Sequence, residues 1–355
     1  MPFRAISLFS GCGGDTLGLE RAGGTVVAFS EFNKAAIQTH LANFPASVHL
    51  TDAGSSDITK LPDAVFAQYN GDVDVIFAGF PCQGVSKAGK KKATDPRNQM
   101  FRQFVRATKL VEPKYIIGEN VTGLLTMKSG LADTDPLLLD VIRDEFRKIG
   151  YELTHKVLEA TEVGVPQKRK RLFIVGWRTG DDVDAGSLWA SVASWGASRT
   201  MPLLRSFVQP SLDTAHPLTG DLVPDGFDSY ALPVSGDTVV SGTPHPFVVL
   251  KSGQKLLSCS KRASPVHSEV ISLDHPSKTI ICTYDHQPRL LVGLQRGTER
   301  WVRTLFADEL KQIQGFPAAF VLCGNKKEQV VQVGNAVPPA LVEAVARALF
   351  TQEVL

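Results

Sequence analysis

The chain has 355 residues, of which 43% are hydrophobic and 21% charged, enough for one large domain with a smaller partner. No apolar run approaches the roughly 18 residues that a bilayer span requires, and the net charge of +2 selects no partner by itself. The five cysteines, Cys12, Cys82, Cys259, Cys282 and Cys323, are odd in number and lack C-x-x-C spacing, which argues against a disulfide framework and against a metal site. The opening MPFRAISLFSG enters an apolar run without a small-residue cleavage site, so the expectation is an intracellular protein.

In chain order, RAISLF (4–9), TVVAFS (25–30), VDVIFAG (73–79), KYIIGE (114–119) and RLFIVGW (171–177) are short, nearly continuous apolar runs. That is the pattern of parallel strands buried on both faces. Between them, 33–43 predicts a helix capped by Asn33, and 97–111 predicts a second with Phe101, Phe104, Val105 and Thr108 at helical spacing. A third is expected after Thr134-Asp135-Pro136. The alternation predicts the α/β class with a doubly wound sheet. After Trp177 the texture turns to Gly, Pro, Ser and Asp with short β-like runs, which predicts a separate, irregular, mostly β domain reaching about Asn325. The closing PPALVEAVARALF predicts an amphipathic helix that starts at prolines.

Charge is patterned within this nearly neutral chain. From Lys87 to Arg106 seven basic residues face one acidic residue, and from Lys168 to Arg178 there are five basic residues and no acid. Residues 181–246 carry eight acidic and two basic side chains, whereas 247–303 carry nine basic and four acidic. Local positive patches of this kind suit a polyanion.

Four stretches carry chemistry. FSGCGGDTLGLERAG (9–23) follows the first strand and opens a helix, so its glycines let backbone approach a ligand at a strand's carboxyl end. Its spacing is not G-x-G-x-x-G and no Lys-Ser/Thr pair follows, which disfavours NAD and ATP. Glu31 ends the second strand, where a carboxylate accepts hydrogen bonds from ribose hydroxyls. Cys82 lies in GFPCQ just past the third strand, in a polar loop followed by lysines that favour thiolate, the placing of a nucleophile for a polyanionic substrate. GENV puts Glu119 and Asn120 at the end of the fourth strand, and VPQKRKRLFIVG adds Gln167, Arg169 and Arg171, with strand alternation sending both arginines to one face.

Together these motifs resemble the cytosine-C5 DNA methyltransferase family over nearly the whole chain. FSGCGG looks like its cofactor loop, GFPCQ its nucleophile motif, GENV its acid motif and QKRKR its paired-arginine motif, while RTLFADELKQIQGFP (303–317) and QVGNAVPP (332–339) resemble its last two blocks. The resemblance implies S-adenosylmethionine as methyl donor, held by Phe9, Ser10, Gly11, Cys12, Gly13, Gly14, Glu31, Phe32, Asp57, Ile58, Pro81, Asn335, Ala336 and Val337. It implies a catalytic set of Cys82, Glu119, Arg169 and Arg171: the thiolate adds to cytosine C6, Glu119 holds a proton at N3, and Arg171 with Arg169 in support binds the O2 side. The target base is flipped out of double-stranded DNA, with contacts expected from Gln83, Ser86, Lys87, Lys90, Lys91, Lys92, Arg97 and Gln167.

The implied architecture is a Rossmann-like catalytic domain over 1–180 plus 329–355 and a target-recognition domain over 181–328, with 252–264 the candidate for groove and phosphate contact. A cytoplasmic, DNA-associated monomer with no metal, membrane or obligate protein partner is expected. Ser7 stands where the family often has Asp, and Phe306 where it has Thr or Ser. The RNA-directed branch of the family usually carries Cys-Phe-Thr and little recognition domain, unlike this chain, and an inactive DNA-binding homologue is disfavoured because every expected catalytic residue is present.

Overall fold

The computed structural model describes residues 2–81, 99–129, 135–242, 247–251, 256–259 and 268–351. Two units emerge: Met1–Val163, Lys170–Arg199 and Ala336–Leu355 form the first, and Gly164–Arg169 with Thr200–Asn335 form the second. The sequence expectation drew its breaks at 180/181 and 328/329. They differ because 185–197 folds as a helix on the first unit, whereas 164–169 and 329–335 are built into the second.

The first unit is organised on a seven-stranded sheet. Along the chain run β1 (Phe3–Leu8), α1 (Gly14–Arg21), β2 (Gly24–Ser30), α2 (Lys34–Asn43), β3 (Val48–His49), α3 (Ala64–Ala67), β4 (Val75–Ala78), α4 (Phe101–Val111), β5 (Tyr115–Asn120), α5 (Leu138–Lys148) and β6 (Tyr151–Glu159). The short β7 (Gln167–Lys168) belongs to the second unit, after which β8 (Lys170–Arg178) and α6 (Ala185–Ala197) return to the first. The sheet order is β3-β2-β1-β4-β5-β8-β6. Ile6, Ile76 and Ile116 form one row across β1, β4 and β5, and Gly176 of β8 completes it. Apolar burial on both faces of these central strands is the dominant stabilising contribution.

One expectation fails here in an informative way. RLFIVGW is a strand, but β8 runs antiparallel to β5 and to β6. A continuous apolar run reports burial on both faces, which β8 has between its two neighbours, and says nothing of direction. The expectation also omitted β6, whose mixed exposed and half-buried residues mark the sheet's edge. Likewise α6 lies within the stretch assigned to irregular structure. Asp184 caps it by accepting from the Gly186 and Ser187 N–H groups, and Leu188, Trp189 and Val192 are buried. The three helices expected between strands are present as α2, α4 and α5, with Asn33 accepting from the Ala36 N–H at the start of α2.

The second unit contains β9 (His216–Leu218), α7 (Phe227–Tyr230), β10 (Leu232–Pro233), β11 (Phe247–Lys251), β12 (Leu256–Cys259), β13 (Glu269–Val270), β14 (Ser277–Lys278), β15 (Leu290–Arg296), β16 (Glu299–Thr304), α8 (Ala307–Ile313) and α9 (Lys326–Asn335). Its main sheet is ordered β10-β15-β16-β9, with β13 also on β15. Gly297 supplies the left-handed residue (φ 59°) of the two-residue turn between β15 and β16. Phe306 precedes α8 without a side chain that could cap it. The Glu309 carboxylate instead accepts from the Phe306 N–H (2.7 Å) and pairs with the fully buried Arg303 guanidinium (2.7 Å), which sits 4.1 Å above the Phe306 ring.

The chain's last helix, α10 (Pro339–Thr351), packs on α1 and α6 of the first unit. Gly18 makes this approach possible. A methyl group there would lie 2.5 Å from the Pro339 carbonyl oxygen and 2.6 Å from the Val342 Cβ. Gly18→Ala is therefore expected to destabilise the chain by about 1–3 kcal/mol, although the same change favours an isolated helix by about 1 kcal/mol. Chemical denaturation checks this, and an unchanged or raised midpoint would show that α10 does not seat on α1 as described.

Candidate active site

The sheet's registry sets the site. Leu8 is level with Ser30 and Ala78, and Ala78 is level with Gly118, so Phe9, Glu31, Gly79 and Glu119 follow at the same edge. Phe9 holds φ 57°, and Gly11 and Gly13 are also left-handed, which curls the chain back so that the Gly13 N–H reaches the Ser10 carbonyl. Position 13 admits only glycine, because a Cβ would lie 2.6 Å from the Phe44 ring.

Glu31 is fixed by backbone. One oxygen accepts from the Gly11 N–H (2.9 Å) and the other from the Phe32 and Asn33 N–H groups (both 2.8 Å). A carboxylate offers about four acceptor directions, so this one retains capacity for a ligand hydroxyl. The Phe32 ring beside it is 75% exposed. His49 was not singled out from the sequence. Its Nε2 lies 2.9 Å from the Glu31 carbonyl oxygen, and its ring stacks on Phe29 at 4.8 Å. Asp57 accepts from the Thr59 hydroxyl (2.7 Å) and N–H (3.0 Å), and that hydroxyl is the main cause holding its carboxyl below the usual range. Ile58 is buried in the sheet's core. Pro81 is half-buried, and Ala336 and Val337 are buried in the first unit, while Asn335 is exposed at the end of the second.

On β5, Glu119 meets Arg171, with Nε to Oε1 at 2.8 Å and both side chains mostly buried. Burial lowers the arginine's pKa, and the Glu119 charge opposes that shift. A Cβ at Gly79 would lie 3.7 Å from Glu119 Oε2 and 3.8 Å from the Phe9 carbonyl oxygen, so acid, strand end and glycine loop border one space. Asn120 ties this edge to the neighbouring strand's exit: its Nδ2 donates to the Phe80 carbonyl (3.0 Å), two residues before Cys82. Cys82 itself, with Gln83, Ser86, Lys87, Lys90, Lys91, Lys92 and Arg97, lies outside the described residues.

Two assigned residues are placed differently from expectation. Gln167 is fully buried and cannot meet DNA as placed: its Nε2 donates to Gln314 and its Oε1 accepts from the Ile280 N–H (3.0 Å). Arg169 is 1% exposed and donates to the Ile280 and Gly334 carbonyls (both 2.9 Å). The strand alternation that would bring Arg169 and Arg171 to one face is broken between β7 and β8. Arg169 thus bonds within the second unit and Arg171 within the first. Ser7, the departure on β1, donates its hydroxyl to Asp15 on α1. Among the described residues, no helix is long and apolar enough to cross a membrane, and no group of three His, Cys, Asp or Glu could hold a metal ion.

The profile of the C-5 cytosine-specific DNA methylases matches residues 3–214 and 249–351. The chain belongs to the C-5 cytosine-specific DNA methylase family. As a member it is a DNA cytosine-5-methyltransferase. It is similar to the Type II methyltransferase M1.HphI of Haemophilus parahaemolyticus, with 31% identity over 99% of this chain and 87% of that protein. It is 28% identical to the Type II methyltransferase M.NgoPII of Neisseria gonorrhoeae over 98% of this chain and 95% of that one. Among solved structures, S. pombe Dnmt2 methyltransferase shares the fold at a TM-score of 0.65 with 16% identity, covering 99% of this methylase and all of that chain. A putative DNA modification methyltransferase from an E. coli prophage does so at 0.63 with 18% identity, over the same shares.

The placement of Arg169 makes a specific expectation. Lysine cannot span two carbonyls as the guanidinium fork does. Arg169→Lys is therefore expected to lower unfolding stability by about 1–3 kcal/mol, the cost of leaving a buried acceptor unsatisfied. Loss of methyl transfer with an unchanged denaturation midpoint would return Arg169 to the reaction itself.

Proposed function

We propose that this methylase transfers the methyl group of S-adenosylmethionine to C5 of a cytosine flipped out of double-stranded DNA, within a specific sequence, through a covalent bond between Cys82 and cytosine C6. The observation that carries the reading is the Arg171–Glu119 pair standing beside the glycine loop on the carboxyl edge of the sheet. The cofactor site fits its ligand. Glu31 is preset by three N–H groups to receive ribose hydroxyls, Phe32 presents an exposed ring, and a Cβ at Gly11 would meet nothing within 4 Å. Phe9, Ser10, Gly11, Cys12, Gly13 and Gly14 form the loop that would hold it, with Asp57, Ile58, Pro81, Asn335, Ala336 and Val337 also assigned. When bound, the cofactor supplies an electrophilic methyl group.

The chain's own residues supply the rest. Cytosine C5 is too poor in electrons to attack that methyl group unaided. The Cys82 thiolate forms an S–C6 bond, and the electron pair displaced from C5=C6 makes C5 nucleophilic. Glu119, protonated when the base enters, gives its proton to N3 as the S–C6 bond forms and recovers it when that bond breaks, and Arg171 pairs with the carboxylate left in between while placing positive charge beside the base. After C5 has gained the methyl group, a base removes the C5 proton, C5=C6 reforms, and the S–C6 bond breaks to return the thiolate. Extruding the base costs a few kcal/mol. The basic stretch of sequence holding Lys87, Lys90, Lys91, Lys92 and Arg97 is assigned to the DNA, and the second unit to the choice of sequence. Its candidate stretch 252–264 is described only at 256–259. The names of the Type II relatives support the sequence-specific part.

Duplex DNA carrying 5-fluorocytosine at the target position tests the covalent step, because fluorine cannot leave as a cation and elimination stalls. A denaturation-resistant protein–DNA adduct is expected with S-adenosylmethionine present, and none with Cys82→Ala. Glu119→Gln is expected to slow the adduct by at least about 100-fold while cofactor binding by calorimetry stays near wild type. An adduct that persists in Cys82→Ala would overturn the mechanism.

A further inference from the structure

The turn that presents Glu31 is held by its main chain as well as by its carboxylate. The Glu31 carbonyl oxygen lies 2.9 Å from Nε2 of His49, the last residue of β3. A carbonyl oxygen can only accept, so His49 carries a hydrogen on Nε2 and donates it. The imidazole is itself fixed. His49 is level with Phe29 in the parallel pairing of β3 with β2, and the two rings stack at 4.8 Å with 24° between their planes. The fully buried Phe29 ring also stacks on His40, at 3.6 Å and 15°. His40 in turn underlies the glycine loop, where a Cβ at Gly13 would lie 3.1 Å from its ring. One row of rings therefore supports both Gly13 and the peptide that follows Glu31.

We propose that His49 is a positioning residue for the cofactor: by holding the Glu31 carbonyl it fixes the Glu31 carboxylate for the ribose hydroxyls, and it takes no part in methyl transfer. The inference rests on the reading of Glu31 as the ribose ligand. Its physical basis is the planarity of one peptide bond. The carbonyl that His49 holds and the Phe32 N–H that donates to the Glu31 carboxylate (2.8 Å) belong to the same rigid peptide unit. A hydrogen bond at one end of that plane therefore aims the donor at the other. It also polarises the unit, so that each bond in the chain from imidazole to carbonyl, and from N–H to carboxylate, strengthens the next. The Phe32 ring is too exposed to anchor the plane by packing. With the imidazole N–H removed, the peptide is free to rotate and the carboxylate is held less firmly for its ligand.

Two variants of the full chain separate the donor from the ring. His49→Phe keeps a ring against Phe29 and removes the donor, whereas His49→Gln keeps a donor at similar reach and removes the ring. His49→Phe is expected to weaken S-adenosylhomocysteine binding about three- to tenfold by calorimetry, the worth of one hydrogen bond. The KM for S-adenosylmethionine is expected to rise by a similar factor, with kcat at saturating cofactor within about twofold of wild type. His49→Gln is expected to restore wild-type affinity even where loss of the stack lowers its denaturation midpoint. The analogue lacking the ribose 2′-hydroxyl is expected to bind wild type more weakly than its parent and to lose distinctly less in His49→Phe, because part of the contact that His49 aims is already gone. His49→Leu, which also lacks a donor, serves should His49→Phe fail to fold. Wild-type affinity without the donor, a kcat that falls as KM rises, no rescue by His49→Gln, or an equal loss on both ligands would overturn the assignment of His49. Wild-type chain that binds the analogue as tightly as its parent would overturn the ribose reading of Glu31 instead.

Discussion

The Arg171–Glu119 ion pair is possible only because β8 enters the sheet in reverse. In a parallel strand, Arg171 would begin at the amino edge, about 20 Å from the end of β5 across six residues of strand rise. Antiparallel pairing sets Phe173 level with Glu119 and Leu172 level with Asn120, which leaves Arg171 at the carboxyl edge beside the acid. The cofactor loop, Glu31 and Gly79 already converge on that edge by parallel registry. Reversal of one strand thus adds a cation to an edge otherwise furnished with carboxyl groups. Two mostly buried charges are costly unless each satisfies the other, and the 2.8 Å contact provides that compensation.

The same short stretch of chain serves two bodies. Gln167 and Arg169 are consumed by the second unit, where they tie the segment before β8 to β14, to Ile280 and to the end of α9. Arg171, two residues on, is committed to the first. The division explains why QKRKR is so dense in cations without being a surface run: one arginine satisfies backbone carbonyls, one pairs with the acid, and Lys168 and Lys170 remain exposed. Removing either arginine therefore acts through different physics, unsatisfied carbonyls in one case and an unpaired carboxyl group in the other.

Much of this was legible before any coordinates. Glycines that follow a strand and open a helix, an acid at the next strand's end, and apolar runs at regular intervals are local signals, and β1, β2, β4 and β5 lie where they indicate. Strand direction was not legible, because the run Leu172–Val175 is as apolar whichever way it points. The edge strand β6 was hidden by its half-exposed residues, and α6 by a Gly, Ser and Ala composition that reads as loop until α10 is seen against it. The burial of Gln167 and Arg169 depends on partners more than 100 residues away, Ile280, Gln314 and Gly334, which no local pattern announces. Asn120 offered a faint signal, a polar residue closing an apolar strand, but its bond to the Phe80 carbonyl is visible only in three dimensions.

The central claim is that Arg171 and Glu119 work as one unit on the flipped base. A double-mutant cycle on kcat/KM for methyl transfer to duplex DNA, using Glu119→Gln, Arg171→Met and the pair combined, measures this directly. Groups that act together lose their contribution once either is gone. The account predicts that the double variant is no more than about threefold slower than the worse single variant, while each single variant is slowed by at least about 100-fold. Losses that multiply, so that the double variant falls by the product of the two, would contradict it.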